Sequence, residues 1–201
     1  MKEKLALLAF LLLLFGCTQQ PQPAQEKTLA DALGIQLPAP YSAFYSANVS
    51  SPSGGFIGTL STYYSHGNFR ADVYFEGMPD YSIFSINGTG YICTREGAVG
   101  NCTLSENSGS GFAPALSQPA SLFSAESLPS RAISGIAAKC FSISPKNSFS
   151  YSASISCYSQ QGVLLYSFSQ DQKLSTITET AAISIGGAPQ EEKFRLPYAV
   201  K

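Results

Sequence analysis

Phe69-Arg70-Ala71-Asp72-Val73-Tyr74-Phe75 is the stretch that decides the fold. Phe69, Ala71, Val73 and Phe75 point one way, and Arg70, Asp72 and Tyr74 point the other. A period of two is the mark of a half-buried strand. Upstream, Ser65-His66-Gly67-Asn68 reads as a turn, Phe56–Tyr64 as extended chain, and Ser51-Pro52-Ser53-Gly54-Gly55 as a second turn. Before that, Tyr41, Ala43, Tyr45, Ala47 and Val49 share one parity. Downstream, Met78-Pro79-Asp80 breaks the pattern. Tyr81–Ile86 is a strand, Asn87-Gly88 a hairpin turn and Tyr91–Arg95 the return, with Cys102–Leu104 coming back across it.

The second half repeats the theme. Residues 105–111 form a loop. In residues 112–126 the alternation stops, and Leu122 and Phe123 among alanines suggest a short helix after Pro119. Strands resume at Arg131, where Ile133, Gly135, Ala137, Lys139, Phe141 and Ile143 share a parity. Phe149, Tyr151, Ala153 and Ile155 alternate with serines. Gln160-Gln161-Gly162 turns into Val163–Phe168, which is apolar on both faces and reads as central or covered on both sides. Asp171-Gln172 turns into Lys173–Ile185, Gly186-Gly187 ends that strand, and Phe194-Arg195-Leu196-Pro197 closes the domain. Ahead of all this, Thr28–Gly34 has the form of a capped helix, with Thr28 at its start and Gly34 at its stop. About ten strands with two short helices make a mainly β, minor α class. A sheet of that size curls around helices or splits into a sandwich.

The chain has 201 residues, of which 12% are charged, with a formal net charge of −1. One domain of ordinary size fits that length. The charge balance excludes the basic footprint of a nucleic-acid binder. A single histidine, His66, excludes multi-histidine metal sites. Lys2 and Lys4 precede the apolar run Leu5–Phe15, which is too short to span ~30 Å of hydrocarbon and reads as a signal-peptide core. It ends in Leu14-Phe15-Gly16-Cys17, which resembles the lipobox of secreted lipoproteins. That resemblance implies cleavage before Cys17 and a lipid on its sulfur. Residues 17–27 are polar and proline-rich, a flexible tether. The expected organisation is a signal peptide at 1–16, a tether at 17–27 and one domain at 28–201, exported and lipid-anchored on the extracytoplasmic side of the cell membrane.

With Cys17 lipidated, Cys93, Cys102, Cys140 and Cys157 remain. Four cysteines in an export compartment suggest two disulfides, with three pairings open. Local pairing is the economical one. Cys93 opposite Cys102 centres a hairpin on Gly97-Ala98, where Gly97 suits the first central position of a type II′ turn. Cys140 opposite Cys157 centres its loop at Ser148/Phe149. Either that loop is longer than Pro145-Lys146-Asn147-Ser148, or one strand is bulged. The second bridge closes a loop of about fifteen residues, worth ~3 kcal/mol in the chain-entropy model.

The order of parts resembles the LolA-like lipoprotein-carrier half-barrels and the related lipid-binding surface lipoproteins. The matching phrases are Asn68-Phe69-Arg70-Ala71-Asp72, Gly88-Thr89-Gly90-Tyr91-Ile92-Cys93, Cys157 through Leu165, Ala182-Ile183-Ser184-Ile185, Glu191-Glu192-Lys193 and Phe194-Arg195-Leu196-Pro197. The resemblance covers roughly residues 28–198. It implies a single curved antiparallel sheet, a half-barrel, with a short helical plug and a concave apolar cavity for acyl chains. The residues it points to as cavity lining are Phe69, Val73, Phe75, Leu122, Phe123, Phe149, Tyr151 and Ile155. The two cysteine pairs and the anchor depart from the soluble carriers, and a tethered protein cannot ferry cargo.

No catalytic constellation accompanies these features. His66 has no Gly-x-Ser-x-Gly elbow beside it. Asp72, Glu76 and Asp80 read as solvent-facing strand charges, and no phosphate-cradling glycine loop precedes a helix. Asn48, Asn87 and Asn101 head Asn-x-Ser/Thr triplets open to glycosylation in an exported chain. The expectation is a monomeric, non-enzymatic protein without cofactor or metal. Its expected partners are the membrane through its anchor, a lipid or hydrophobic ligand, or, alternatively, another envelope protein with no ligand cavity involved.

Overall fold

The computed structural model describes residues 26–105, 116–146, 151–171 and 173–201, with the backbone alone for Glu96 and residues 151–153. The signal peptide, Cys17, most of the tether and Phe149 lie outside the described residues.

The chain enters through α1 (Leu29–Leu33). Thr28 Oγ1 accepts the Asp31 N–H and Asp31 Oδ2 accepts the Thr28 N–H, each at 3.2 Å, a reciprocal capping box. The Thr28 hydroxyl also donates to Asp31 Oδ2 at 2.7 Å, and this bond, with that from the Thr28 N–H, holds the Asp31 carboxyl below its usual range. Gly34 ends the helix in the left-handed region, at φ 62°. A helix of five residues does not stand alone. Leu29 and Ala30 are buried, so packing against the sheet holds it.

The strands are β1 (Tyr41–Ser51), β2 (Gly54–Ser65), β3 (Asn68–Phe75), β4 (Asp80–Ile86), β5 (Thr89–Glu96), β6 (Val99–Leu104), β7 (Phe123–Ile133), β8 (Ile136–Pro145), β9 (Tyr151–Tyr158), β10 (Leu164–Asp171) and β11 (Thr176–Gly186). They form one open antiparallel sheet in the order β6-β5-β4-β3-β2-β1-β11-β10-β9-β8-β7, curled as a half-barrel. A single sheet, not a sandwich, is the outcome. His66-Gly67 and Asn87-Gly88 have positive φ at both central residues, as a type I′ hairpin requires. At Gly97-Ala98 only Gly97 has positive φ, as in type II′.

Three details differ from the sequence reading. The run from Arg131 to Ile143 is two strands, because Ser134-Gly135 is a further two-residue turn with φ of 49° and 77°. β7 begins at Phe123, well before Arg131. It is an edge strand, and Pro129 sits where its register with β8 breaks between Leu128 and Arg131. An edge tolerates a proline because only one side of the strand must hydrogen-bond. The expected helix after Pro119 is a single 3₁₀ turn, Ala120–Leu122, and Phe123 is already extended.

Directly paired residues share a face. Ala47, Thr180, Ser167 and Ser156 are paired in succession across β1, β11, β10 and β9. Tyr45 therefore shares a face with Tyr158, against which α1 packs together with Phe141, Ile143 and Leu164. This is called the helix face below. Asp72, Ser82, Cys93 and Cys102 are paired across β3–β6 on the opposite side. There Leu196 and Tyr198 of the C-terminal segment pack on Phe84 and the cysteines, so this is the tail face. Cys93–Cys102 and Cys140–Cys157 are disulfides between directly opposed residues, each with Cα atoms 4.0 Å apart.

Candidate functional site

The helix face carries the apolar residues of the alternating strands. Tyr41, Ala43 and Tyr45 of β1 lie beside Leu60 of β2 and Phe69 and Ala71 of β3, all buried in one cluster that also holds Val163 and Leu165. The β9–β10 junction supplies the last two, and the pairing there shifts by one residue, which turns Leu164 and Leu165 both inward. The unbroken apolar start of β10 therefore comes from this shift within a central strand, not from cover on both sides. α1 and Leu116 cover the far end of this face, and the single turn at Ala120–Leu122 is tied beside α1 by the Ala120 N–H to Lys27 O with no residue of its own buried.

Within the apolar face sits a patch of neutral hydroxyls. Tyr45 donates to the Leu164 carbonyl at 2.9 Å. Burial pushes the Tyr45 phenol up to about 12, and Tyr158 likewise to about 12. Burial raises Tyr41 further still, with the neighbouring Tyr45 adding to it. Thr62 lies close enough to Tyr41 and Tyr45 to offset part of that rise, yet its Oγ1 makes no hydrogen bond of normal length. These phenols are neutral at any physiological pH, so the patch offers hydrogen-bonding groups and no charge.

The residues expected to line a cavity fall in several places. Phe69 (2% exposed) and half-buried Val73 and Phe75 share the helix face. Phe75 lies directly across from Gly58, where a Cβ would come within 2.5 Å of its ring. Phe123 joins the cluster under α1, while Leu122 is 43% exposed. Ile155 neighbours Ser156 and so points to the tail face, alongside Cys157. Tyr151 is described by its backbone at the start of β9. His66 sits in the exposed β2–β3 turn with Ser65 Oγ 2.8 Å from its Nδ1. The hydroxyl patch was not foreseen. The clue was the tyrosine content of the alternating run Tyr41, Ala43, Tyr45, since a phenol placed inward needs a partner.

No family model and no curated protein matches the sequence. Solved structures do match in shape. An uncharacterized conserved protein from Thermus thermophilus superposes with a TM-score of 0.55 at 10% identity, covering 86% of this chain and 96% of that one. MucB superposes with a TM-score of 0.53 at 13% identity, covering 84% of this chain and 61% of its own, so the chain spans about three fifths of MucB. A LolA superfamily protein from Nitrosomonas europaea matches at 0.45 with 11% identity over 84% of this chain and 96% of its own. Identities of this size speak to the fold alone, and the fold is shared with the Thermus thermophilus protein and MucB.

Proposed function

We propose that this is a lipid-anchored extracytoplasmic binding module, tethered through Cys17, whose curled sheet holds a lipid or another hydrophobic ligand against the helix face. The observation that carries this is the ratio of face to cover. One side of an open eleven-stranded sheet is apolar, and the helical cover described over it is a five-residue helix and Leu116, beside the β7–β8 hairpin tip at Ile133 and Ile136. A cover that small can part from the sheet at modest cost, and each acyl CH₂ taken in its place contributes about 0.8 kcal/mol. Two disulfides suit folding in an oxidising compartment. No helix among the described residues is long and apolar enough to cross a membrane. In this reading, attachment comes from the lipid on Cys17. The role is binding, not catalysis.

Native mass spectrometry of the exported protein, released gently from membranes, tests this. The expected spectrum shows the acylated chain plus a second, dissociable lipid mass. The acyl mass is expected to vanish in Cys17→Ser, with the protein moving to the soluble fraction. An acylated chain that carries no dissociable lipid even after incubation with a membrane lipid extract would overturn ligand binding. A Cys17→Ser variant that stays with the membrane would overturn the anchor. A second reading, a structural or protein-interaction module of the cell surface, is favoured by exposed Phe44, Ile57 and Tyr74 on three adjacent strands of the tail face. Crosslinking through that face to one envelope protein, with no bound lipid, is the outcome that would select it.

A further inference from the structure

The tail face carries a pocket of its own, distinct from the proposed ligand face. Its volume is about 300 Å3, and it lies between β2–β5 and the C-terminal segment. That segment is fastened in place. Ala199 O accepts the Cys102 N–H at 3.1 Å and Cys102 O accepts the Lys201 N–H at 2.9 Å. Arg70 Nη1 donates to Lys193 O at 2.9 Å. The Tyr198 ring lies flat on Gly100, where a Cβ would come within 2.3 Å of it. Tyr198 is thereby held as one aromatic boundary of the pocket, and Tyr74, 53% exposed, is another.

The polar lining is built but not self-satisfied. Asp72 Oδ1 accepts from both Arg70 Nε and Ser82 Oγ, each at 2.7 Å, which fixes its carboxylate. Asp80 and Arg95 are directly opposed across β4–β5. Nevertheless Arg70–Asp72 is the ion pair found among the described residues, and Asp80–Arg95 is not one. Arg95 instead turns its Nε to Gly97 O at 3.0 Å, leaving its terminal nitrogens without a partner among the described residues. Thr59 and Ser61 add hydroxyls to the lining. Two arginines and two aspartates balance, so the pocket offers paired acceptors and paired donors without net charge.

We infer that this pocket binds a neutral saccharide unit. Vicinal sugar hydroxyls donate and accept at once, which matches carboxylate acceptors at Asp72 and Asp80 set near guanidinium donors at Arg95. The C–H faces of a pyranose ring suit the rings of Tyr74 and Tyr198, which have a negative π face. The volume suits one ring, and a few convergent polar groups in a concave site are the usual form of a small-molecule site. An anionic ligand would meet Asp80, whose carboxylate forms no ion pair among the described residues, and a cationic one would meet Arg95. On an envelope protein, the source of such a unit is a surface polysaccharide or glycolipid headgroup.

Saturation-transfer NMR on the mature exported protein tests the assignment, with glucose, galactose, mannose and N-acetylglucosamine as probes, and glycine and glutamate as zwitterionic and anionic controls. At least one sugar is expected to bind with a Kd of about 1 mM or tighter. Arg95→Gln and Asp80→Asn, both at exposed positions, are expected to weaken it about tenfold or more while leaving the melting temperature in place. Ile57→Ala, on the same face and outside the pocket, is expected to leave binding unchanged. Tyr198→Ala is expected to abolish binding, and its melting temperature reports whether the tail stays docked. The assignment fails if no sugar binds, if the amino acids bind and the sugars do not, or if sugar binding survives both charge substitutions. Lipid binding to the helix face is read by a separate experiment, so either site can fail alone.

Discussion

The two faces of β1–β3 come from the same alternating residues and end in opposite environments. On the helix face, Tyr45 and Phe69 are 1% and 2% exposed. On the tail face of the same strands, Phe44, Tyr74 and Ile57 are 38%, 53% and 75% exposed. The period-two pattern supplies the division of residues into two sets, but curvature decides which set becomes core. Curling brings Val163 and Leu165 into one cluster with Tyr41, Leu60 and Phe69 on one side. The other side is left to whatever the chain can lay over it. That cover is the C-terminal segment, which reaches β3–β6 and, through Lys193 over the Tyr63 ring, the end of β2, and leaves Phe44 and Ile57 exposed.

The largest expected effect tests that division. Phe69→Ala removes a ring with 2% exposure from the main cluster and is expected to cost about 3–5 kcal/mol. A urea midpoint series reads it directly. If Phe69→Ala costs less than about 1 kcal/mol, the helix face is not a packed core but a space already open to solvent or ligand.

A smaller effect, tied to pH, separates the faces by their phenols. Tyr45 and Tyr158 have folded-state values of about 12 against 10.0 for a free phenol, because burial disfavours the phenolate. Below pH 10 both states hold their protons and the full contribution is present. Between pH 10 and 12 the unfolded chain releases protons that the folded chain keeps, so stability falls as pH rises through that window. Tyr45→Phe is expected to flatten the alkaline decline. It also leaves the buried Leu164 carbonyl without its 2.9 Å donor, at a cost of about 1–3 kcal/mol at neutral pH. Chemical denaturation at several pH values checks both. An unchanged alkaline slope in the variant would mean that the phenol is already solvated.

How far the sequence carried depends on whether a signal was local. Phe69 to Phe75, the Asn87-Gly88 turn, the Thr28–Gly34 helix and the Cys93–Cys102 hairpin were legible because each is determined by neighbours in the chain. The Ser134-Gly135 turn was hidden because a two-residue turn preserves parity. The odd-numbered series Ile133, Gly135, Ala137 runs through it as though the strand continued. β7 was hidden by Pro129 and by the weak patterning of an edge strand, exposed along most of its length. Faces of distant strands could not be matched from parity alone. The register shift beside Leu165 and the order of strands place Ile155 on the face opposite Phe69, and neither is written in a local pattern. The tail-face pocket was least legible of all, since Tyr198 meets Gly100 only through the fold.

The smallest expected effect is the sharpest control on the comparison. Ile57 lies in β2, a central strand, where the period of two sets it on the face opposite Leu60. It is 75% exposed, and its backbone carbonyl rather than its side chain makes the local tie, accepting the Glu76 N–H at 3.5 Å. Ile57→Thr keeps the β-branched shape that a strand prefers and removes only exposed apolar surface. The expected change in stability lies within about ±0.5 kcal/mol, and self-association at high concentration is expected to fall because an open apolar patch has been interrupted. Equilibrium unfolding and light scattering on the same samples read the two effects separately. A loss as large as that of Phe69→Ala would mean that the tail face of β1 and β2 is covered in the working protein, and would identify Ile57 as part of an interface.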